Sequence, residues 1–181
     1  SFAKASGSIP VRPTDLGAVV EYPYEKSDDD LSHRFGISLK DLRDDVFGVS
    51  EAEWRDCKMR LIQIGASCDH AQPKKAPLLY LLAIEWLFAK EDGTKDDNKP
   101  KLNTKSKGKP GSEFEWHSPI FCFEKDARPG KLSVFKNLSL SVPKSATVDW
   151  VTAYRIREEL ISELTQEYAR YISRPGVVTL A

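Results

Sequence analysis

The chain has 181 residues, of which 40% are hydrophobic and 30% charged, and its formal net charge at pH 7 is zero. The length suits one domain with a substantial core, the hydrophobic fraction excludes general disorder, and the balanced charge excludes a global attraction to nucleic acid or anionic membranes. Three cysteines without a regular spacing predict reduced thiols and a cytoplasmic protein. No apolar run is long enough to cross a bilayer, so no membrane association is expected.

Residues 1–13 are predicted to be a flexible tail, and residues 14–181 a single domain. Because the sequence starts at Ser1 with small residues and no signal peptide, we expect a piece of a longer protein, with an adjacent domain or a protein partner. The stretch at about 90–111 is rich in Lys, Asp, Gly, Asn and Pro and predicts a mobile insertion. Its lysines at 95–109 offer a contact for nucleic acid, but aspartates share the stretch, and a solvated loop is the alternative.

Helix starts in the first third of the chain are marked by a serine followed three positions later by an acid. Ser38 precedes Asp41 and Ser50 precedes Glu53, which is typical of capping boxes. They predict short helices at 39–47 and 51–58. The acidic run at 28–30 either caps a further short helix or forms a solvated turn.

The chain then changes to the two-residue period of strands. Ile62 and Ile64 alternate with Gln63 and Gly65, which predicts a half-buried strand over 61–68. Three further segments are strand candidates: 77–90, 114–123 and 132–142. The first of these is almost wholly apolar and also fits a helix, but its flanking prolines and aromatic residues favour a strand. Alternate residues of the last one are predicted to share one face: Leu132, Val134, Lys136, Leu138 and Leu140.

The final element is predicted to be a helix of about 25 residues that Thr147 caps and that begins at Val148. Its side chains recur at spacings of three and four, and Pro175 and Gly176 end the pattern. The stripe comprises Trp150, Tyr154, Arg157, Ile161, Leu164, Tyr168 and Ile172. Together the elements predict an α+β fold with a small curved antiparallel sheet or partly open barrel, covered by the long C-terminal helix and flanked by short N-terminal helices.

Chemically distinctive residues cluster at the end of the first predicted strand. Cys68 and His70 are of the types that bind zinc, and His117 and Cys122 are the further donors. The second pair faces opposite sides of a straight strand unless Pro119 bends it. Since there is also no Cys-x-x-Cys pair, no metal and no other cofactor is predicted, and a structural zinc domain is the alternative.

Asp69 is the strongest candidate in this corner. Its negative charge disfavours a thiolate at Cys68, so Cys68 is interpreted as a packing residue and not as a nucleophile. A carboxylate just past a strand end, with Gln72 close by, suits a cationic or hydrogen-bonding group, and a structural ion pair or turn cap is the alternative. Arg157 lies on the predicted apolar stripe and needs a buried partner there, for which Asp69 is predicted.

Two segments resemble a group of uncharacterised bacterial proteins, some of which carry a response-regulator receiver domain ahead of the similar region. Residues 61–72 resemble a strand followed by Cys-Asp-Tyr-Ala-Gln, with His70 in place of the tyrosine, and residues 155–176 resemble a closing Arg-Glu helix. The matching positions are Cys68, Asp69, Gln72, Arg157 and Glu158. The resemblance implies an output or effector region of a bacterial signalling or defence protein.

The sequence contains no phosphate-binding loop, His-Glu-x-x-His motif or serine elbow, and no catalytic residue is assigned. Together with the resemblance, this predicts a non-enzymatic interaction or signal-output domain of a bacterial regulatory or phage-defence protein. The first alternative is a nuclease-like or hydrolytic small-barrel enzyme that uses Asp69 with His70 or Arg157 in an open cleft. The second is the structural zinc domain.

Overall fold

The computed structural model describes residues 10–65, 77–87, 113–122 and 129–173. Within these residues, seven strands form one antiparallel sheet: β1 (Ala18–Glu21), β2 (Cys57–Gly65), β3 (Leu78–Leu87), β4 (Glu115–His117), β5 (Phe121–Cys122), β6 (Pro129–Val142) and β7 (Thr152–Arg155). Their spatial order is β4-β6-β3-β2-β1-β7, and β5 also pairs with β6. The predicted α+β class and antiparallel sheet are confirmed. Within the described residues the sheet is open and does not close into a barrel.

The described part of the chain has four α-helices beside the sheet: α1 (Asp28–Phe35), α2 (Leu39–Asp41), α3 (Glu51–Trp54) and α4 (Glu158–Ile172). Each of the three N-terminal helices begins after a serine whose side chain accepts a backbone N–H, and at Ser50 the Glu53 side chain completes the predicted capping box. α2 continues as a π-helix over Leu42–Phe47, which ends at Gly48. None of the helices in the described ranges is long and apolar enough to span a bilayer.

The first predicted strand is observed as β2, which starts earlier than expected. Because β2 begins at Cys57, the predicted helix at 51–58 is shortened to α3. Ile62 is fully buried and Gln63 is 2% exposed, although the two side chains point to opposite faces of the strand. β2 is therefore buried on both faces rather than half-buried. Residues 66–68 of the predicted strand lie outside the described residues.

The apolar segment at 77–90 forms a strand, β3, as favoured by its composition, and β3 pairs with β2 and β6. The register between β3 and β6 shifts, because Leu81 pairs with Ser139 whereas Ala83 pairs with Val134. Val134 consequently packs with the residues of α4, and Leu138 packs with the N-terminal helices. The prediction that alternate residues of β6 share one face is wrong. The register irregularity places Val134 and Leu138 on opposite faces of the sheet.

The sheet separates two hydrophobic cores. The N-terminal core joins strand residues to α1 and the α2 region, and its fully buried members include Val20, Leu61, Leu82, Leu31 and Leu42. The α4 core joins the opposite face to the C-terminal helix, and its fully or nearly buried members include Val19, Ile62, Leu81, Ile161 and Leu164. The predicted cover of short N-terminal helices and a C-terminal helix is thus observed, with one layer on each face.

The predicted helix start at Val148 is wrong. Lys144–Thr147 form a 3-10 turn, in which the Thr147 hydroxyl donates to the Lys144 carbonyl at 2.9 Å instead of capping a helix. β7 follows, and α4 begins only at Glu158 and has 15 residues. Pairing with β1 gives this segment sheet hydrogen bonds, which override the local helical spacing of its side chains.

Candidate functional site

Four of the predicted site residues lie outside the described residues: Cys68, Asp69, His70 and Gln72. The packing role of Cys68 and the polar role of Asp69 therefore stay predictions, as does the enzyme alternative centred on Asp69. The lysines at 95–109 also lie outside the described residues, so the contact with nucleic acid stays a prediction too.

Arg157 and Glu158 mark the start of α4. Arg157 is the N-cap residue, with an extended backbone (φ −61°, ψ 150°), and it is exposed. Its predicted place on the apolar stripe is wrong, because the helix starts after it and the neighbouring Ile156 is the buried residue. Glu158 is exposed in the first turn, where a carboxylate interacts favourably with the helix dipole.

Gly17 fixes the position of this helix start against the sheet. Its N–H donates to the Gln63 carbonyl at 2.8 Å, and its own carbonyl accepts the Ile156 N–H at 2.9 Å. The φ angle of Gly17 is 79°, and a Cβ atom there would lie 3.3 Å from the Ile156 carbonyl oxygen. Glycine suits both the left-handed backbone and the close approach.

Within the described residues, no group of three His, Cys, Asp or Glu side chains is arranged to hold a metal ion. His117, one of the candidate zinc ligands, contacts two other side chains, with Nε2 3.2 Å from Glu115 Oε2 and Nδ1 3.0 Å from Ser133 Oγ.

The free thiol of Cys57 is a poor nucleophile, because burial first, and then the nearby charges of Asp56 and Glu53, raise its pKa from 9.0 to about 12.

Ser133, His117 and Glu115 are the residue types of a hydrolytic triad, but their surroundings oppose catalysis. The indole of Trp86 donates to the same Ser133 Oγ at 3.1 Å, and Ser133 is 2% exposed. In serine proteases the carboxylate binds Nδ1 and the serine lies at Nε2, whereas here the two nitrogens are exchanged. The contacts among Trp86, Ser133, His117 and Glu115 therefore connect β3, β6 and β4.

A buried ion pair joins β2 and β3. Arg60 Nε lies 3.0 Å from Glu85 Oε2, and the Tyr154 hydroxyl donates to the same oxygen at 2.9 Å. The Arg60 and Glu85 side chains are 10% and 1% exposed. Burial, reinforced by the charge and hydrogen bond of Glu85, raises the pKa of Tyr154 well above 10.0. Because the cluster is closed to solvent and its groups satisfy one another, it supports the sheet rather than offering a binding site.

An open groove lies beside the start of β7. It has a volume of about 340 Å³ and is formed by the end of β1 and the turn that precedes β7. Its lining residues are Glu21, Tyr22, Pro23, Ala146, Asp149, Trp150 and Val151. Val148 and Val151 are 78% and 56% exposed, so two aliphatic side chains lie on the surface next to the strand. The groove residues, Val148 and the outer edge of β7 (Thr152–Arg155) are together called the β7 surface.

Aromatic packing holds the wall of the groove in place. The Trp150 ring meets the rings of Tyr24 and Tyr80 edge to face, with centroids 5.8 and 5.0 Å apart. The Tyr22 hydroxyl donates to Asp30 Oδ2 of α1 at 2.9 Å, and burial, together with this bond, raises the pKa of Tyr22 well above 10.0. The groove is therefore preformed by packing against the N-terminal core.

The β7 surface combines three features that suit a polypeptide ligand. Among the described strands, β7 is the last of the sheet, so its outer edge presents backbone N–H and C=O groups. The exposed valines offer apolar contact. The carboxylates of Glu21 and Asp149 give the groove negative charge, and no described lining residue is basic. Glu21 is 57% exposed and only loosely paired, with its Oε1 4.0 Å from Arg60 Nη1.

Thr152, the first residue of β7, carries a buried hydroxyl that has no hydrogen-bond partner among the described residues. An unsatisfied buried polar group lowers stability by about 1–3 kcal/mol. We therefore expect Thr152→Val, which keeps the shape and removes the hydroxyl, to raise the free energy of unfolding by about 1 kcal/mol in urea denaturation. Thr152→Ser keeps the hydroxyl and should give no gain. A loss of stability in the valine variant would show that the hydroxyl has a partner.

Sequence reasoning missed the β7 surface because the residues around it also show helical spacing. The sequence does contain a signal for β7. Residues 150–154 are rich in aromatic and β-branched residues and follow Pro143, which also fits a short strand. The groove itself joins residues near 21 to residues near 149, which no local pattern connects. No protein-family model, curated protein or solved structure matches the chain.

Proposed function

We propose that the chain is a non-enzymatic interaction domain of a bacterial regulatory or phage-defence protein and that it binds a protein partner at the β7 surface. The observation that carries this proposal is an edge strand flanked by exposed aliphatic side chains, Val148 and Val151, beside a preformed groove. Natural proteins usually protect edge strands with charges or covering elements, whereas exposed apolar residues next to an edge favour association.

The bacterial regulatory setting is supported by the resemblance of residues 61–72 and 155–176 to proteins that carry receiver domains. A non-enzymatic role is supported by the chemistry of the described polar clusters. The Arg60–Glu85 pair is closed to solvent, and Ser133 is blocked by the Trp86 indole. The groove, by contrast, is open and lined by side chains suited to recognition.

The test is selection of random linear peptides on the purified domain, followed by affinity measurements with synthetic copies of the enriched peptides. Val151→Lys is expected to weaken binding by about tenfold or more, because it places a solvated charge in an apolar contact. Ile120→Lys is the matched control, since Ile120 is 66% exposed between β4 and β5 at the other end of the sheet. It should leave the affinity unchanged.

Two results would contradict the proposal. One is the absence of any peptide enriched over an unrelated control protein. The other is an equal loss of affinity in the Val151 and Ile120 variants, which would place the contact away from the β7 surface. Circular dichroism of both variants must match the parent protein, so that a loss of folding is not mistaken for a loss of binding.

A further inference from the structure

We infer that the partner adds an extended segment to the outer edge of β7 and places a lysine or arginine side chain in the groove between Glu21 and Asp149. This inference rests on the proposed function and specifies the ligand of the same surface. Its occupant is a segment of a partner protein with a basic residue next to aliphatic ones.

The backbone of β7 provides the first part of the evidence. In the described part of the chain, β7 pairs only with β1, through Ala18, Val19 and Val20. In an antiparallel pair, alternate residues of an edge strand direct both their N–H and C=O groups away from the neighbour. β7 has four residues and is therefore about 13 Å long, which matches a partner segment of about four to six residues. Adding a strand at such an edge is a recurrent mode of peptide recognition.

The groove provides the second part. It lies where the partner segment would pass the start of β7, and its described lining residues include two carboxylates and no basic side chain. A lysine or arginine can lay its aliphatic stem along Trp150 and Val151 while its charged end stays near Glu21 and Asp149. The 4.0 Å separation between Glu21 and Arg60 leaves the Glu21 carboxylate able to take a second, closer cation.

Charge also selects the class of partner. A nucleic acid would bring phosphates against the two groove carboxylates, which disfavours it at this surface. A peptide backbone, in contrast, finds hydrogen-bond partners along β7, aliphatic contacts at Val148 and Val151, and a negative site for one cationic side chain.

The experiment uses a peptide enriched in the selection described above. A series of its copies, each with one backbone nitrogen methylated, is expected to show an alternating pattern, with losses of affinity of about tenfold at every second position.

Replacement of the peptide's lysine by norleucine, or its arginine by citrulline, should weaken binding by about threefold to tenfold at low salt and less at high salt. Glu21→Gln and Asp149→Asn should produce the same salt-dependent loss, and Asp45→Asn, an exposed carboxylate on the π-helix, should not.

The possible outcomes separate the two proposals. Peptides that depend on Val151 but show no alternating methylation pattern, or that do not respond to the Glu21 and Asp149 substitutions, overturn the strand addition or the basic anchor while the interaction domain stands. Peptides that do not depend on Val151, or an empty selection, overturn both. An alternating pattern together with salt-dependent losses is the result expected from the geometry.

Discussion

Replacement of Glu85 by alanine is expected to lower the free energy of unfolding by about 3–5 kcal/mol, because it leaves Arg60 buried without its partner. The two side chains are 1% and 10% exposed and their charged atoms are 3.0 Å apart, so little solvent is available to take over the role of the carboxylate. The Tyr154 hydroxyl loses its acceptor in the same variant. Urea denaturation of the parent and variant measures the difference.

Two controls separate the buried charge from other effects. The double variant Arg60→Met, Glu85→Leu removes both charges and keeps apolar volume, and it should recover most of the lost stability. Asp44→Ala removes the acid of an exposed ion pair with Arg43 and should have little effect. If Glu85→Ala unfolds at the same urea concentration as the parent, the ion pair is not buried in solution.

Leu164→Ala is expected to be the second strongly destabilising change, with a loss of about 2–5 kcal/mol. Leu164 is fully buried in the α4 core, which also contains Val19, Ile62 and Leu81, so truncation leaves a cavity in that core. Thermal or urea unfolding followed by circular dichroism provides the measurement.

The matched control lies on the same helix. Ile172 is 48% exposed near the end of α4, so Ile172→Ala should change stability by only about 0.5 kcal/mol. Equal effects at the two positions would mean that α4 does not cover the sheet through the face that contains Leu164. Both substitutions introduce alanine, the strongest helix former, so a loss of stability cannot come from helix propensity.

Local chemistry explains which elements were predictable. The starts of α2 and α3 are predictable because Ser38 and Ser50 each accept an N–H group of the first turn of the helix that follows, an interaction within four residues of sequence. β3 is predicted correctly because of the flanking prolines and aromatic residues, although its apolar run also fits a helix. These features depend on neighbours along the chain, which the sequence displays directly.

Long-range pairing explains the errors. The segment before α4 has helical spacing, yet it forms the strand β7 because it pairs with β1, which lies far away in the sequence. The register shift between β3 and β6 exchanges the faces of the β6 side chains, and the alternation of residues within β6 does not reveal it. Arg157 was placed on the stripe for the same reason, since its position followed from a helix that started too early.

The candidate site could not be predicted, because the β7 surface depends on the meeting of two distant segments. The predicted site residues Arg157 and Glu158 lie at the start of α4 and are not part of that surface. The open sheet similarly follows from strand order, which composition does not determine. The predicted roles of Cys68 and Asp69 stay predictions.

The pairing of Ala18 with Arg155 has a consequence during biosynthesis. β1 emerges from the ribosome before the other described strands, whereas its partner β7 is translated after all of them. Until then β1 can pair with β2 on one side only, and its other edge is open to neighbouring nascent chains. A chain that terminates prematurely before residue 152 would keep that edge exposed, so truncated products of this protein should aggregate more readily than the finished domain.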